Sequence, residues 1–586
     1  MERATAAHAA PSGMVMTVVR RRWLHLALLV VLAVPLLFTA QGLPLLDPDE
    51  GLYAGIAQSM VTTGDWMLPH FNGLPYLEKP PLYFWAAALT LRFDPSSERA
   101  VRIWSALSAL GTVLLAWRMG RRLYGETAGV MAGLALATTV GYALYVRKAS
   151  TDFVFVFCLT LALYGFLRDA ARPEAGRTRF LWFYAGSALA LLSKGLIGLV
   201  FPIAIVAATM VVVGGLRVRE LNLARGFAVF AAVALPWHAL MAWRDPALFW
   251  FYVVDNQILR FLDARAFIED DVPVGTIAFV ALSFLWAFPW SVFTLARPAP
   301  ATTPAARWRP LMLVWLAAVI VFFAVSRSKL EYYALPAFPA LAVMVGGAWA
   351  SGRDIGRWLA VGAAGSIVVG AAAVWTSTWL TPSGVLAGLA ELNVYYRILR
   401  EQGQPLPFAS AQPFAVLLQT LGLVLIGGWS MTLLAWWRGR RHVAFGLVTG
   451  TAIAIAVLIV GLLHVIEPHH SAAAVSSAIT AAAAPADVIA HEGSLEYSAA
   501  LPFYTGRRVL VVNGVRGDLE TASRRPEGRG WFVDTTELAR RWQAGPRIFL
   551  VTQRPRAQSI VAALPPASVH LLGQYGSRWL YSNREN

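Results

Sequence analysis

Apolar stretches of about 20 residues recur from residue 23 to residue 465 of this chain, separated by short polar turns rich in arginine. A run of that length crosses the hydrocarbon core of a bilayer as a helix, which leaves no peptide group unbonded in lipid. With 57% hydrophobic and 14% charged residues among 586, the chain reads as a polytopic α-helical membrane protein. The pattern predicts thirteen spans, at 23–41, 99–117, 127–146, 150–167, 180–194, 196–214, 226–243, 273–296, 310–326, 333–350, 357–377, 412–436 and 443–465. With the amino terminus inside, every inner loop is basic, from Arg118, Arg121 and Arg122, through the loop holding Arg177, to Arg438, Arg440 and Arg441. That is the positive-inside rule, and an odd number of spans then places the carboxyl terminus outside. The net charge of +16 is thereby a matter of topology, and nucleic acid is excluded as a partner. Arg20-Arg21-Arg22 resemble the basic start of a signal peptide, but no small-residue cleavage site follows, so the first span is read as uncleaved. The single Cys158 rules out an intramolecular disulfide.

Against this apolar background, one outer segment is densely charged. Asp47, Asp49, Glu50, Asp65, Glu78 and Lys79 fall between the first two spans. Charge at a membrane boundary is costly unless solvated or paired, so such a group marks a functional site. Helix capping is the competing reading: Asp47 as N-cap, Pro48 at the first helical position and Glu50 closing a capping box. Capping leaves Asp49 and Glu78-Lys79 unaccounted for. The lysines add a second signal. Of 49 basic residues only Lys79, Lys148, Lys194 and Lys329 are lysine, and all four fall at outer ends of predicted spans. Arginine codon bias and snorkelling are the bland account. A compact ammonium also suits a phosphate as a point charge, which predicts a cationic site on the outer face.

Beyond residue 466 the long apolar runs give way to short strand-like segments, among them Val509–Val512 and Ile548–Val551, with helix-compatible stretches between. This predicts a small α/β domain, joined through the Ala/Ser-rich segment 472–486 and packed against the outer loop 378–411. His469-His470 is read as a solvated interfacial pair rather than half of a metal site.

Five motifs, all on one predicted membrane face, carry a family resemblance. They are Asp49-Glu50-x-x-Tyr53-Ala54 with Gly64-Asp65-Trp66; Tyr76-x-Glu78-Lys79-Pro80-Pro81; Thr151-Asp152 opening a span; Ser193-Lys194-Gly195 with Pro202 beyond; and Ser328-Lys329-Leu330-x-x-Tyr333-x-Leu335-Pro336. In these the chain resembles GT-C glycosyltransferases of the bacterial branch related to protein mannosyltransferases, and most of all the aminoarabinose transferases that modify lipid A. The resemblance covers about residues 40–350 and extends weakly beyond. It implies a GT-C domain over 1–466, including a periplasmic loop at 43–98, and a soluble periplasmic α/β domain over 467–586, in a bacterial cytoplasmic (inner) membrane. It implies an enzyme moving a sugar, 4-amino-4-deoxy-L-arabinose or a related pentose or hexose, from a polyprenyl (undecaprenyl) phosphate carrier to an outer-face acceptor such as lipid A. Transfer of another polyprenyl-linked sugar to protein or envelope glycan is the alternative. A lipid-linked-sugar transporter or flippase is the rival outside enzymes, but transporters place ionisable groups near the midplane of repeated halves, and no repeat is evident here. A monomer is expected.

The resemblance also implies roles. Asp49, with Glu50, is catalytic, Asp49 taking the acceptor hydroxyl's proton. Lys79 meets the carrier phosphate, supported by Arg260, Lys194, Lys329, Tyr76 and Tyr333. Asp152 and Tyr53 serve the acceptor side. Glu78 is a metal ligand in the lipid A enzymes, partnered by a histidine in a Glu-His-x-x-Arg-Phe type motif. Here the stretch is Asp255-Asn256-Gln257-Ile258-Leu259-Arg260-Phe261, without histidine, so Asp255, Asn256 or Gln257 would complete the set, which argues against a tight Zn site and leaves a weaker Mg or Mn site, or none, as equal readings. Leu52 stands where the lipid A enzymes carry arginine, and Glu331 where proline is usual; both bear on the acceptor more than on the reaction.

Overall fold

The computed structural model describes residues 12–585 except 173–175, 177, 263–273, 300–302, 304, 328, 392–393, 402, 404 and 515–518. Ser328 of the fifth motif and Arg177 therefore lie outside the described residues. Among those described, seven helices are long and apolar enough to cross a membrane: Glu98–Tyr124, Thr151–Ala170, Leu223–Arg244, Ala306–Val325, Ile355–Ser377, Gln412–Trp437 and Arg441–His470. The other six predicted spans coincide with helices that are shorter or interrupted. The stretch 127–146 is two helices, Glu126–Ala137 and Val140–Tyr145. They part at Thr138-Thr139, whose hydroxyls bond back to Leu134 O and Ala135 O at 2.7 and 2.8 Å, a habit that loosens helices. The predicted hairpin at Ser193-Lys194-Gly195 is present: helix Leu181–Lys194 stops at Gly195, which takes φ +76°, and Ile197–Val213 returns.

The charged outer segment is more ordered than a loop. It holds the helix Asp49–Thr63, a two-stranded ribbon of β1 (His70–Phe71) and β2 (Leu74–Pro75), and the helix Leu82–Leu91. The capping reading fails here. The N-cap is Pro48, with no side-chain cap bond, because both acidic candidates are engaged elsewhere. Glu50 is fully buried and accepts from Arg102 Nε and Nη2, both at 2.7 Å, from Leu46 N at 2.9 Å and from Ala149 N at 2.7 Å. Asp47 accepts from Arg578 Nη2 and from Ala500 N, both at 2.8 Å.

Those last two partners belong to the C-terminal unit, a six-stranded sheet of β3 (Val488–Glu492), β4 (Val509–Val512), β5 (Phe532–Val533), β6 (Ile548–Thr552), β7 (His570–Tyr575) and β8 (Arg578–Ser582). The order is β5-β4-β3-β6-β8-β7, with the first four parallel and β8 and β7 antiparallel. Alternation along the strands divides its side chains between two cores. Ile489, Val509, Val511, Phe549 and Val551 join the cluster containing Tyr53, Ala54 and Ile56 of the outer helix. Ala490, Leu510, Val512 and Leu550 instead meet Leu538 and Trp542 of helix Thr535–Ala544. One face of the sheet thus shares the core of the membrane unit. Polar contacts reinforce this: Asn72 bonds both backbone groups of Val509, and Arg525 pairs with Asp245 at 2.5 Å. The approach is close at Gly51, where a Cβ would fall 2.2 Å from Ala500 N, so only glycine fits.

Replacing Arg102 by leucine leaves the Glu50 carboxylate buried without a counter-charge. Removing one partner of such a pair typically costs about 3–5 kcal/mol. The unfolding midpoint of purified Arg102→Leu protein in detergent is expected to drop clearly; a midpoint equal to that of the parent protein would contradict the assignment.

Candidate active site

A cavity of about 1620 Å³ is walled by the helix Asp49–Thr63, by residues of several long helices and by the C-terminal sheet unit. Asp49, Lys79, Lys148, Asp152, Lys194 and Arg260 all line it. Separate segments bring them there. Asp49 opens the helix Asp49–Thr63, and its position is set by the next residue, the anchored Glu50. The Glu50 carboxylate also receives Ala149 N, which draws in the neighbouring Lys148. Asp152 is not the cap of its helix. Ser150 is, and Asp152 accepts the Ser150 hydroxyl at 2.7 Å while pairing with Lys194. The Lys194 ammonium also sits 5.2 Å from the Tyr333 ring centre, within cation–π range.

The segment expected as an outer loop at Phe249–Phe261 is helical, with π-helical hydrogen bonding over Phe251–Leu259. That wider winding is frequent at functional sites. Here it docks Asn256 on the Glu78 carbonyl at 2.6 Å and brings Gln257 against Gly195, where a Cβ would lie 2.8 Å from the Gln257 amide. Arg260 follows, turned toward Asn256 Oδ1 at 3.5 Å. Lys79 and Arg260 both act electrostatically on Lys194. Three cations from three segments thus converge on one wall, with Asp152 the counter-charge of Lys194 and Glu78 Oε2 lying 3.6 Å from Lys79. Positive charge gathered on one wall of a largely apolar cavity can hold an anion.

Asp49 stands beside it. Burial pushes its carboxyl above the usual carboxylate range; Lys148 and Lys79 pull it back, while Asp152 and Glu50 push it further. Among the described residues it makes no ion pair within 4 Å, so its oxygens face the cavity's charges at longer range. A carboxylate so placed can receive a proton from a bound hydroxyl.

Not every expected residue joins this arrangement. Glu50, expected with Asp49 as catalytic, has its oxygens occupied by four donors in the frame. Lys329 is buried away from the cavity wall, its ammonium bonded to Thr276 Oγ1, Ala324 O and Ser326 O at the end of the span helix. Tyr53, Tyr76 and Tyr333 do line the cavity, Tyr53 packing edge-on against Tyr83 and Phe84. His469-His470 is not a solvated pair: His470 Nε2 meets the Tyr396 hydroxyl at 2.8 Å. Lys148 was visible as one of four lysines, but nothing in the sequence assigned it to Asp49.

A divalent cation at Glu78 fits poorly. The Asn256 amide nitrogen is engaged by the Glu78 carbonyl and its oxygen is turned to Arg260, while Lys79 faces the Glu78 carboxylate. Among the described residues no three His, Cys, Asp or Glu side chains cluster as a metal set. One carboxylate among cations is not the oxygen cage such an ion needs.

Residues 78–243 match the family model for dolichyl-phosphate-mannose-protein mannosyltransferase. An undecaprenyl phosphate-alpha-4-amino-4-deoxy-L-arabinose arabinosyl transferase of Pseudomonas aeruginosa is 30% identical over 399 residues, 67% of each chain. The transferase of that name from Edwardsiella ictaluri is 26% identical over 571 residues, 94% of this chain and 96% of the other. Among solved structures, ArnT from Cupriavidus metallidurans bound to undecaprenyl phosphate superposes with a TM-score of 0.77, at 23% identity, covering 95% of this chain and 98% of that one.

If Asp49 must be ionised to work, activity falls as pH drops through its raised pKa. The acid limb of kcat/KM is therefore expected above the ordinary aspartate value of about 3.9. Lys148→Met removes the first of the charges that lower this pKa, so it should move the acid limb to higher pH. A limb that stays in place in Lys148→Met, or moves to lower pH, would contradict the pairing.

Proposed function

The chain belongs to the family of undecaprenyl phosphate-alpha-4-amino-4-deoxy-L-arabinose arabinosyl transferases, and we propose that it moves an amino sugar of that kind from undecaprenyl phosphate to a lipid A-type acceptor. It is an integral-membrane glycosyltransferase of the GT-C type. The observation that carries the proposal is the convergence of Lys79, Lys194 and Arg260 on the wall that also holds Asp49. The reading includes thirteen crossings with the amino terminus inside, which open the cavity toward the periplasmic side of a bacterial inner membrane.

The chemistry follows from the placement. An acceptor hydroxyl attacks the anomeric carbon, its proton passes to Asp49, and the bond from that carbon to the phosphate oxygen breaks. The electron pair leaves on a phosphate that needs positive charge rather than a proton. Lys79 and Arg260 supply it, and Asp152 holds Lys194 alongside. Apolar wall residues such as Phe261, Leu282 and Phe322 offer a path for the prenyl chain. Tyr76 and Tyr333 flank the phosphate, and Tyr53 and Asp152 the acceptor.

Removing the base and removing a phosphate partner should give different kinetics. Asp49→Asn is expected to slow transfer by about 10²–10⁴ with carrier binding retained. Lys79→Ala should weaken carrier binding as well as rate, and Lys79→Arg should restore only part, since a planar fork does not reproduce an ammonium. Transfer is read by mass spectrometry of the acceptor lipid. Near-normal transfer by folded Asp49→Asn would overturn the base assignment; movement of carrier lipid by the parent protein with no glycosylated product would overturn the transferase reading.

A further inference from the structure

The segment that delivers Arg260 is one continuous helical stretch over 246–262, made of Pro246–Trp250, the π-helical turns Phe251–Leu259 and Arg260–Leu262. Near its far end Asn256 donates to the Glu78 carbonyl at 2.6 Å. Its start is held by Asp245, the N-cap, whose Oδ1 accepts from Leu248 N at 2.9 Å while Pro246 occupies the first turn. Apolar packing of Leu248, Phe251 and Tyr252 with Trp237 and Leu77 covers the flank, but such packing is non-directional.

The cap is gripped from outside the membrane unit. Arg525 of the C-terminal unit donates from Nη1 to Asp245 Oδ2 at 2.5 Å and from Nη2 to Oδ1 at 3.1 Å. Both side chains are largely buried, at 23% and 18% exposure, and the guanidinium holds the Asp245 carboxyl below the usual carboxylate range. Arg525 is itself fixed, since its backbone N–H donates to Ala522 O at 3.1 Å and its carbonyl accepts from Gly528 N at 3.0 Å. Arg508 Nη2 secures the same turn through Glu527 O at 2.7 Å. An exposed ion pair that merely joins two units is worth little. This one is bidentate, which adds orientation to attraction, and it sits at the start of a functional helix.

Two points define the axis of that helix: Asn256 on the Glu78 carbonyl, and Asp245 on Arg525. A single hydrogen bond at Asn256 leaves the helix able to pivot, and Arg260, one turn beyond, would swing with it. We propose that Arg525 is a positioning residue for donor binding, setting through Asp245 the helix that carries Arg260 to the carrier phosphate. The inference rests on the transferase reading and goes beyond it: the C-terminal unit acts on the donor side of the site as well as on Asp49.

The test uses the full-length protein and measures undecaprenyl phosphate binding together with kcat and the KM for donor and for acceptor. Asp245→Asn isolates the pair, because asparagine caps a helix as well as aspartate but brings no charge to Arg525. It and Arg525→Gln should each weaken carrier binding and raise donor KM by about 3–10-fold, with acceptor KM unchanged. Arg525→Lys should restore part of the loss, since it lacks the planar fork. The decisive comparison places Arg525→Gln in an Arg260→Ala background. There its further effect on carrier binding should shrink to under about twofold, because the pair acts through Arg260. An equal loss in both backgrounds would make the pair a structural joint and overturn the proposal. Parent-like carrier binding by folded Arg525→Gln or Asp245→Asn would also overturn it. The predicted binding changes in a protein that yields no glycosylated product would support the positioning role while overturning the transferase reading.

Discussion

The ion pair between Glu50 and Arg102 fixes the geometry on which the rest of the site depends. Both side chains are almost wholly removed from solvent, at 1% and 2% exposure. Taking two charges out of water is expensive, and their attraction offsets that only where the remaining hydrogen-bonding capacity is filled. It is filled here. Arg102 also donates to the carbonyls of Gln41, Leu43 and Pro44, and Glu50 also receives the amides of Leu46 and Ala149. One pair therefore ties together the chain leaving the first span, the outer helix, the second long helix and the turn before Thr151. Asp49 precedes Glu50 and Lys148 precedes Ala149, so the anchor places a carboxylate opposite an ammonium.

A second anchor joins this frame to the C-terminal sheet. Arg578 is 1% exposed and bonds Asp47, Tyr497 O, Ser498 Oγ and Ser471 O. Asp47 carries a carboxyl that burial pushes up to about 7, Arg578 and Ala500 N acting in the opposite sense. It lies two residues before Asp49. The sheet unit also adds Glu496, Tyr497 and Gln553 to the cavity wall. It therefore braces the segment carrying Asp49 and forms part of the cavity wall, which an independently folded appendage would not do.

The sequence made the membrane class, the charged outer segment and the grouping of Lys79, Lys194, Asp49 and Asp152 legible, because apolar run length and the cost of charge near lipid act locally. The resemblance to aminoarabinose transferases also pointed to the family that the comparisons support. What stayed hidden depends on contacts between distant segments. Glu50 reads as a helix cap until Arg102, 52 residues on, is seen to claim it. Lys329 looks like its three fellow lysines, yet helix-end carbonyls absorb its donors. The π-helical winding that delivers Arg260 has no periodic signature distinct from a short amphipathic stretch. Helix breaks such as Thr138-Thr139 lie inside apolar runs that hydropathy counts as continuous.

The central claim is that carrier phosphate and base meet on one wall, and a structure of the protein with bound undecaprenyl phosphate tests it most directly. The account predicts phosphate oxygens at hydrogen-bond distance, about 3 Å, from Lys79 Nζ and the Arg260 guanidinium, with Lys194 next to them and Asp49 facing the side from which an acceptor enters. A phosphate seated instead at the His470 and Arg578 end of the cavity, away from those cations, would contradict it.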